Sequence, residues 1–151
     1  MRALIQRVQR ALVEVEGKIN GQVEHGLLVY VGFSCNDTTA DVVKLAEKIA
    51  ALHLFGNDAE TLNLSTQDVK GGVLIVPNFT LMGNAGKCKR PDFAAAADSG
   101  PAKMLYEHFI VEMEKSGCAV AGGIFGAEMQ VASLAQGPMN IIIDMPPGTG
   151  T

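Results

Sequence analysis

The sequence predicts a single α+β domain in which a mainly antiparallel β-sheet is covered by two helices. Several short stretches near the start of the chain alternate apolar and polar residues, as strands do, and tight connections join them. Two later stretches, 42–53 and 104–113, repeat apolar residues at helical spacing. The length of 151 residues, with 48% hydrophobic and 19% charged side chains, is typical of one compact domain. We expect this domain to span residues 1–145, and the proline- and glycine-rich residues 146–151 to form a disordered tail.

Strands are predicted on both sides of the first helical stretch. The strands expected before it are 2–8, 11–16, 18–23 and 26–33. The strands expected after it are 73–76, 119–125, 128–134 and 139–143. Gly17 and Gly21 supply turn residues in the first group, and Gly137-Pro138 is expected to turn the chain into its last strand. Closely spaced strands with short connections favour antiparallel pairing over parallel strands joined by helices.

Local signals bound the two predicted helices. The polar run 36–39 offers N-cap residues for the first helix. Pro101 lies near the first turn of the second helix, and Gly117 is expected to end it. His53 and His108 fall on or beside the apolar faces of these helices, so a structural role is favoured over metal binding.

Composition limits the possible functions and the compartment. The formal net charge of −4 argues against nucleic-acid binding through bulk charge, although a local basic patch stays open. No apolar run approaches the roughly 20 residues needed to span a bilayer, and the start of the chain lacks the apolar region of a signal peptide. Cys35, Cys88 and Cys118 form no Cys-x-x-Cys pair, so we expect free thiols in a reducing cytoplasm.

The end of the strand predicted at 73–76 is the main candidate for a site. Its four aliphatic residues meet Pro77 and pass into a polar set, Asn78, Phe79 and Thr80. A strand that breaks in this way leaves main-chain N–H groups unpaired, and such donors can hold a carbonyl group and stabilise its oxyanion. Thr80 adds a hydroxyl as donor, positioner or nucleophile, although no base stands near it in the sequence. The sequence carries none of the common hydrolase or nucleotide-binding motifs.

Two further features are candidates to complete this site. Gly137-Pro138 offers main-chain carbonyls, which a cis Gly-Pro bond would turn in an unusual direction. The glycine-rich loop 82–93 carries a cluster of cations, Lys87, Lys89 and Arg90. A solvated turn is the ordinary interpretation of that loop, but clustered cations on a flexible backbone also suit the end of a nucleic acid.

Several short motifs, in one order along the chain, resemble the D-aminoacyl-tRNA deacylase family of bacteria and eukaryotes. They are Ala-Leu-Ile-Gln-Arg-Val at 3–8, Gly-Leu-Leu-Val at 26–29, Phe-Thr-Leu at 79–81, Arg-Pro-x-Phe at 90–93, Met-Gln-Val at 129–131 and Gly137-Pro138. The resemblance implies a barrel-like, mainly antiparallel homodimer. It implies a hydrolase that cleaves the ester joining a D-amino acid, or glycine, to the 3′ adenosine of tRNA, without metal or cofactor.

The resemblance also implies roles for residues at the candidate site. Phe79 and Thr80 would lie at the reacting centre, and the 2′-hydroxyl of the substrate would assist in place of a general base. Contact with the substrate is implied for Pro77, Asn78, Met129, Gly137 and Pro138. Gly137-Pro138 of each subunit would enter the partner's pocket, where its carbonyls would reject L-amino acids.

The sequence departs from the family pattern at two places, and both put the choice of substrate in question. Pro77-Asn78 stands where the family usually has Ser-Gln, and Met139-Asn140 where it usually has Val-Thr. A proline at the first position is similar to the animal deacylases that remove L-alanine from threonine tRNA, in which the Gly-Pro bond is trans. Two alternatives therefore remain: a deacylase with relaxed chirality acting on L-alanyl-tRNA(Thr), and a non-catalytic module that binds the tRNA 3′ end.

Overall fold

Six strands, two α-helices and one 3₁₀ turn form the fold of this computed structural model, which describes residues 1–58, 61–86 and 88–148. The strands are β1 (Arg2–Val15), β2 (Lys18–Val23), β3 (Gly26–Gly32), β4 (Gly72–Pro77), β5 (Ala119–Gly122) and β6 (Gln130–Asp144). The helices are α1 (Thr39–Ala51) and α2 (Ser99–Glu114), and the 3₁₀ turn is Phe79–Met82. The prediction of one α+β domain with two helices is therefore confirmed.

The long strand β1 forms the centre of the sheet. β1 is one strand of 14 residues, where the sequence suggested two, and it pairs antiparallel with β2 and then β3 along one edge. Glu16 and Gly17, both with positive φ, make the turn between β1 and β2. The gap between the strands expected at 2–8 and 11–16 falls beside an irregularity in the pairing of β1 with β6, and one strand continues through it.

The sheet is mixed, because β3 pairs with β4, and β4 with β5, in parallel. The antiparallel pairing expected from the first strands holds for β1 with its neighbours but does not extend to β4 and β5. Each parallel pair is joined by a crossover that contains a helix, α1 in the first and α2 in the second. Such a connection is what parallel neighbours require.

The strands close almost into a barrel with two apolar cores. At the closing edge the Asn20 side chain donates to the Gly122 carbonyl oxygen at 2.8 Å. A Cβ atom at Gly21 would lie 2.8 Å from the same oxygen, so only glycine permits this approach of β2 and β5. One core lies between the sheet and the two helices, and the other lies inside the barrel. Buried side chains of the barrel core are Val8, Ala11, Val13, Val23, Leu28, Leu74 and Val76.

β6 is a single strand of 15 residues that runs along the other edge of β1. The sequence suggested two strands separated by a turn at Gly137-Pro138, but this dipeptide lies inside β6, where the register with β1 shifts between Gln6 and Val8. Proline is tolerated within a strand at such an irregularity. The Gly137-Pro138 peptide bond is cis, and both residues are exposed. In the described part of the chain β6 pairs with β1 alone, which leaves its outer edge free.

The cysteines, the helices and the predicted tail each bear on an expectation from the sequence. Cys35, Cys88 and Cys118 are free thiols, as predicted. No helix in the described ranges is long and apolar enough to cross a membrane. In the predicted tail, Gly148 donates its N–H to the Asp41 carboxylate at 3.4 Å, whereas residues 149–151 lie outside the described residues, so the disorder of that tail stays a prediction.

Candidate active site

The site begins where β4 ends. Val73–Val76 are buried, and the Asn78 N–H donates to the Val31 carbonyl oxygen of β3 at 2.8 Å. Since the backbone groups of a strand alternate sides, the nitrogen of Pro77 faces the side of β5. β5 has already ended at Gly122, opposite Ile75. The Gly123 N–H still donates to the Ile75 carbonyl oxygen at 2.9 Å, and the next acceptor on that side, the Gly123 carbonyl oxygen, takes the Tyr106 hydroxyl at 3.0 Å. Pro77 can therefore end this central strand without leaving that oxygen unpaired.

The 3₁₀ turn that follows β4 leaves two main-chain donors free. The N–H groups of Leu81 and Gly83 donate to the carbonyl oxygens of Asn78 and Thr80, at 3.3 Å and 3.0 Å. The N–H groups of Phe79 and Thr80 have no hydrogen-bond partner among the described residues, since they are the first donors of the turn. Two adjacent donors of this kind can bind one carbonyl or oxyanion oxygen.

The Thr80 hydroxyl donates to Oδ1 of Asn78. Both side chains therefore form one polar unit at the start of the turn. Because the hydroxyl hydrogen is engaged, the oxygen of Thr80 is left with acceptor capacity. No histidine, carboxylate or lysine contacts this hydroxyl among the described residues, so the geometry offers Thr80 a positioning role more readily than activation as a nucleophile.

A cleft of about 600 Å³ opens beside the turn. Its walls are the end of β4 with the 3₁₀ turn, the loop and first turn of α2, and the segment between β5 and β6. The lining residues are Pro77, Asn78, Phe79, Thr80, Phe93, Ala96, Ala97, Asp98, Ser99, Ala102, Phe125, Gly126, Ala127 and Met129. The fold thus brings Met129, about fifty residues away in sequence, to the same cleft as residues 77–80 at the end of β4.

The first two walls meet at an aromatic pair, of which sequence reasoning assigned only Phe79 to the site. The rings of Phe79 and Phe93 meet edge to face, with centroids 5.2 Å apart and planes at 64°. Phe93 belonged to a matched motif, but nothing local in the sequence indicated that it would touch Phe79. Phe125, on the wall between β5 and β6, packs beside Tyr106 with ring centroids 6.1 Å apart.

Tyr106 of α2 holds the wall that carries Met129. Its hydroxyl lies 3.1 Å from the carbonyl oxygen of Ile75 and 3.0 Å from that of Gly123. Burial raises the pKa of Tyr106 to about 12, so it stays a neutral donor over the physiological range. A Cβ atom at Gly123 would lie 2.6 Å from Sδ of Met129 and 3.4 Å from Cδ of Pro77. The absence of a side chain at Gly123 therefore sets how closely Met129 approaches Pro77.

Gly137-Pro138 does not line the cleft of its own chain. The dipeptide is held on β6 through Arg7, whose guanidinium donates to the carbonyl oxygens of Gln136 at 3.3 Å and Leu54 at 2.7 Å. The expectation that Gly137-Pro138 and the Pro77–Thr80 stretch act in one site therefore needs a second copy of the chain.

The loop 82–93, which carries the cations proposed to bind tRNA, reaches the cleft at Phe93. Asn84 and Asp92 close its base with two main-chain hydrogen bonds, of 2.8 Å and 2.9 Å. Lys89 and Arg90 are exposed, and no ion pair engages either side chain among the described residues. Lys87, the third predicted cation, lies outside the described residues.

The sequence and the fold of this chain both resemble those of known proteins. A family model described as D-Tyr-tRNA(Tyr) deacylase matches residues 4–144. The chain belongs to this family. Relatives named D-aminoacyl-tRNA deacylase include one from Koribacter versatilis (strain Ellin345), which is 46% identical over 144 residues, covering 95% of this chain and 97% of the relative. Another, from Geobacter metallireducens, is 43% identical over 150 residues and 99% of both chains.

Solved structures resemble the deacylase fold described here. One, described as c-Myc DNA Unwinding Element Binding Protein, has a TM-score of 0.90 and 31% sequence identity, covering 97% of this chain and 99% of the other. A second, described as a probable eukaryotic D-amino acid tRNA deacylase, has a TM-score of 0.81 at 17% identity, covering 95% and 98% of the two chains, and supports the fold alone. The comparisons confirm the family recognised from the sequence and the predicted enzyme class, an aminoacyl-tRNA deacylase.

Proposed function

We propose that this chain hydrolyses the ester between a D-amino acid, or glycine, and the 3′ adenosine of tRNA, and so serves as a proofreading enzyme of translation in the cytoplasm. The observation that carries the proposal is the pair of unpartnered N–H groups of Phe79 and Thr80 on the rim of a cleft of about 600 Å³. Membership of the deacylase family over residues 4–144 supports the class of substrate.

The two donors suit ester hydrolysis. Water adds to the ester carbonyl carbon, and the charge that develops on the carbonyl oxygen is stabilised by the N–H groups of Phe79 and Thr80. The carbon–oxygen bond to the ribose then breaks, and the 3′ oxygen leaves with a proton as the hydroxyl of the tRNA end. Removing one such donor in an oxyanion hole costs about 10²–10³ in kcat, so two donors supply a large share of the required stabilisation.

Proton transfer in this proposal depends on the substrate. No histidine, carboxylate or lysine contacts the Thr80 hydroxyl in the described part of the chain, and that hydroxyl donates to Asn78. The 2′-hydroxyl of the terminal ribose, adjacent to the scissile ester, is placed to orient the water or to pass on its proton. Thr80 then holds the substrate through the acceptor capacity of its oxygen.

A second copy of the chain would complete the site with Gly137-Pro138. Among the described residues nothing pairs with the outer edge of β6, and Leu134 and Ile142 on this strand are 46% and 64% exposed. A long unpaired edge with apolar side chains favours association with another chain. Gly137-Pro138 lies exposed on the same strand, so its carbonyls are available to enter a partner's cleft and exclude the side chain of an L-amino acid.

Pro77 and Asn78 bear on the choice of substrate. Pro77 offers no N–H group and no hydroxyl where the family pattern has serine, and the Asn78 amide oxygen is occupied by Thr80. Both changes lie on the cleft wall, so they affect how the substrate fits without altering the two free N–H groups. L-Alanyl-tRNA(Thr) is therefore the competing substrate to be tested.

A deacylation panel tests the proposal. Purified protein is incubated with D-Tyr-tRNA, Gly-tRNA, L-Ala-tRNA(Thr) and L-Tyr-tRNA, and the remaining ester is measured over time. We expect rapid loss of the D-tyrosyl and glycyl esters and no loss of L-Tyr-tRNA beyond the uncatalysed rate. Selective loss of L-Ala-tRNA(Thr) would establish the relaxed deacylase instead. Binding without loss of any ester at micromolar protein would leave only a tRNA-end binding module.

A further inference from the structure

We propose that Phe79 and Phe93 form a stacking platform for the nucleobase that precedes the terminal adenosine of the bound tRNA. This inference rests on the proposed function, because it concerns the route by which the single-stranded 3′ end leaves the cleft. It assigns a binding role to Phe93 and to the loop before it.

The geometry of the ring pair leaves a surface open for a base. The Phe79 side chain is 58% exposed, although it sits beside an apolar cleft that has room to bury it. Phe93 packs edge to face on Phe79 with ring centroids 5.2 Å apart, so it fixes the Phe79 ring without covering both of its faces. An exposed and supported aromatic ring at the rim of a cleft offers a face on which a nucleobase can stack.

The loop before Phe93 adds the charge that a nucleotide requires. Lys89 and Arg90 are exposed, and neither forms an ion pair among the described residues. Arg90 lies three positions before Phe93, and two main-chain hydrogen bonds between Asn84 and Asp92 close the loop immediately before Phe93. A base on the aromatic pair would therefore have its phosphates near two free cations, on a chain whose overall charge is −4.

The position of the platform favours a nucleobase over other occupants. If the terminal adenosine ester fills the cleft beside the N–H groups of Phe79 and Thr80, the preceding nucleotide must cross the rim. Stacking on an aromatic side chain accepts every base, because each base has a π face. The platform thus lets the enzyme bind the 3′ end of any tRNA, whereas the cleft recognises only the aminoacyl ester.

The test compares two substrates that differ only in the upstream nucleotides, D-Tyr-tRNA and the D-tyrosyl ester of adenosine. We expect Phe93→Leu, which keeps an apolar side chain but removes the ring, to lower the ratio of kcat/KM for the tRNA to that for the adenosine ester about tenfold. That change corresponds to about 1.4 kcal/mol. Phe93→Tyr should restore the ratio. Phe125→Leu is the matched control, since Phe125 lines the cleft but pairs with Tyr106 instead of Phe79 and should change both substrates by the same factor.

Two other outcomes on these substrates would overturn the platform. An equal loss on both substrates in Phe93→Leu would show that Phe93 shapes only the cleft. An equal loss accompanied by weaker dimerisation in sedimentation experiments would show that a second copy covers the ring pair. If the wild-type protein deacylates neither substrate, the proposed function fails, and binding of a short oligonucleotide ending in CCA still tests the platform. In that measurement an unchanged affinity in Phe93→Leu overturns it, whereas an affinity about tenfold weaker supports it.

Discussion

Replacing Tyr106 by phenylalanine should lower the free energy of unfolding, because its hydroxyl donates to buried carbonyl oxygens. The hydroxyl is shared between the carbonyl oxygens of Ile75 and Gly123. Ile75 keeps a second donor, the Gly123 N–H at 2.9 Å, so the substitution leaves chiefly the Gly123 oxygen without a partner. An unsatisfied buried carbonyl costs about 1–3 kcal/mol, and we expect a loss of about 1.5 kcal/mol in the free energy of unfolding at pH 7.

Thermal and urea denaturation at fixed protein concentration measure this loss, because association would otherwise change the apparent stability. For a chain of this size about 1.5 kcal/mol corresponds to a fall of roughly 3–6 °C in Tm. Tyr30→Phe provides the matched control. Tyr30 is half-buried on β3, and its hydroxyl has no hydrogen-bond partner in the described part of the chain, so the same chemical change should cost less than about 0.5 kcal/mol.

The pH dependence gives an independent readout of the same residue. Burial raises the pKa of Tyr106 to about 12 in the folded protein, against about 10 in the unfolded chain. The stabilisation from the neutral form is complete below pH 10 and is lost as the pH rises through 12. At pH 11 that loss amounts to about 1.4 kcal/mol in the wild type and is absent from Tyr106→Phe. The stability gap between the two proteins should therefore narrow above pH 10; a gap of zero at pH 7, or one that widens above pH 10, would refute the assignment.

Three further substitutions test the site by their kinetics. Thr80→Ala should keep kcat/KM within about tenfold of the wild type, because the N–H groups remain; a complete loss of turnover would point to a side-chain nucleophile. Gly123→Ala should raise KM for D-Tyr-tRNA and leave its Tm little changed, because the new methyl group displaces the flexible Met129 side chain toward the cleft; an unchanged KM contradicts this. Gly137→Ala, at a φ of 121°, should lower the ratio of D-Tyr-tRNA to L-Tyr-tRNA turnover, and retained stereoselectivity would exclude the dipeptide as the filter.

The parts of the site that the sequence predicted are those set by neighbouring residues. The buried run 73–76, the proline after it and the polar stretch beyond are local signals, and the break they predict occurs where β4 ends. The unpaired N–H groups of Phe79 and Thr80 follow from that break, since the first donors of any helical turn lack partners within it. Residues adjacent in sequence were therefore sufficient to predict the part of the site that follows β4.

The parts that the sequence could not predict depend on which strands become neighbours. The parallel pairing of β4 with β3 and β5 is set by the two helical crossovers, whereas the short early connections suggested a mainly antiparallel sheet. Placement of Phe93 and Phe125 on the cleft follows from that topology. The single long β6 was missed for a different reason: a Gly-Pro step normally predicts a turn, and only the shifted register with β1 accommodates it inside a strand.

The departure at Pro77-Asn78 can now be given a physical meaning. Proline fits because the Gly123 carbonyl oxygen, the next acceptor along the ladder, takes the Tyr106 hydroxyl in place of a backbone N–H. Asparagine fits because its amide oxygen accepts the Thr80 hydroxyl directly, two residues along the turn. The fold therefore tolerates both residues without a compensating change elsewhere in the strand. Since both side chains face the cleft and neither disturbs the Phe79 and Thr80 donors, variation at these two positions can alter the substrate while the hydrolytic apparatus stays the same.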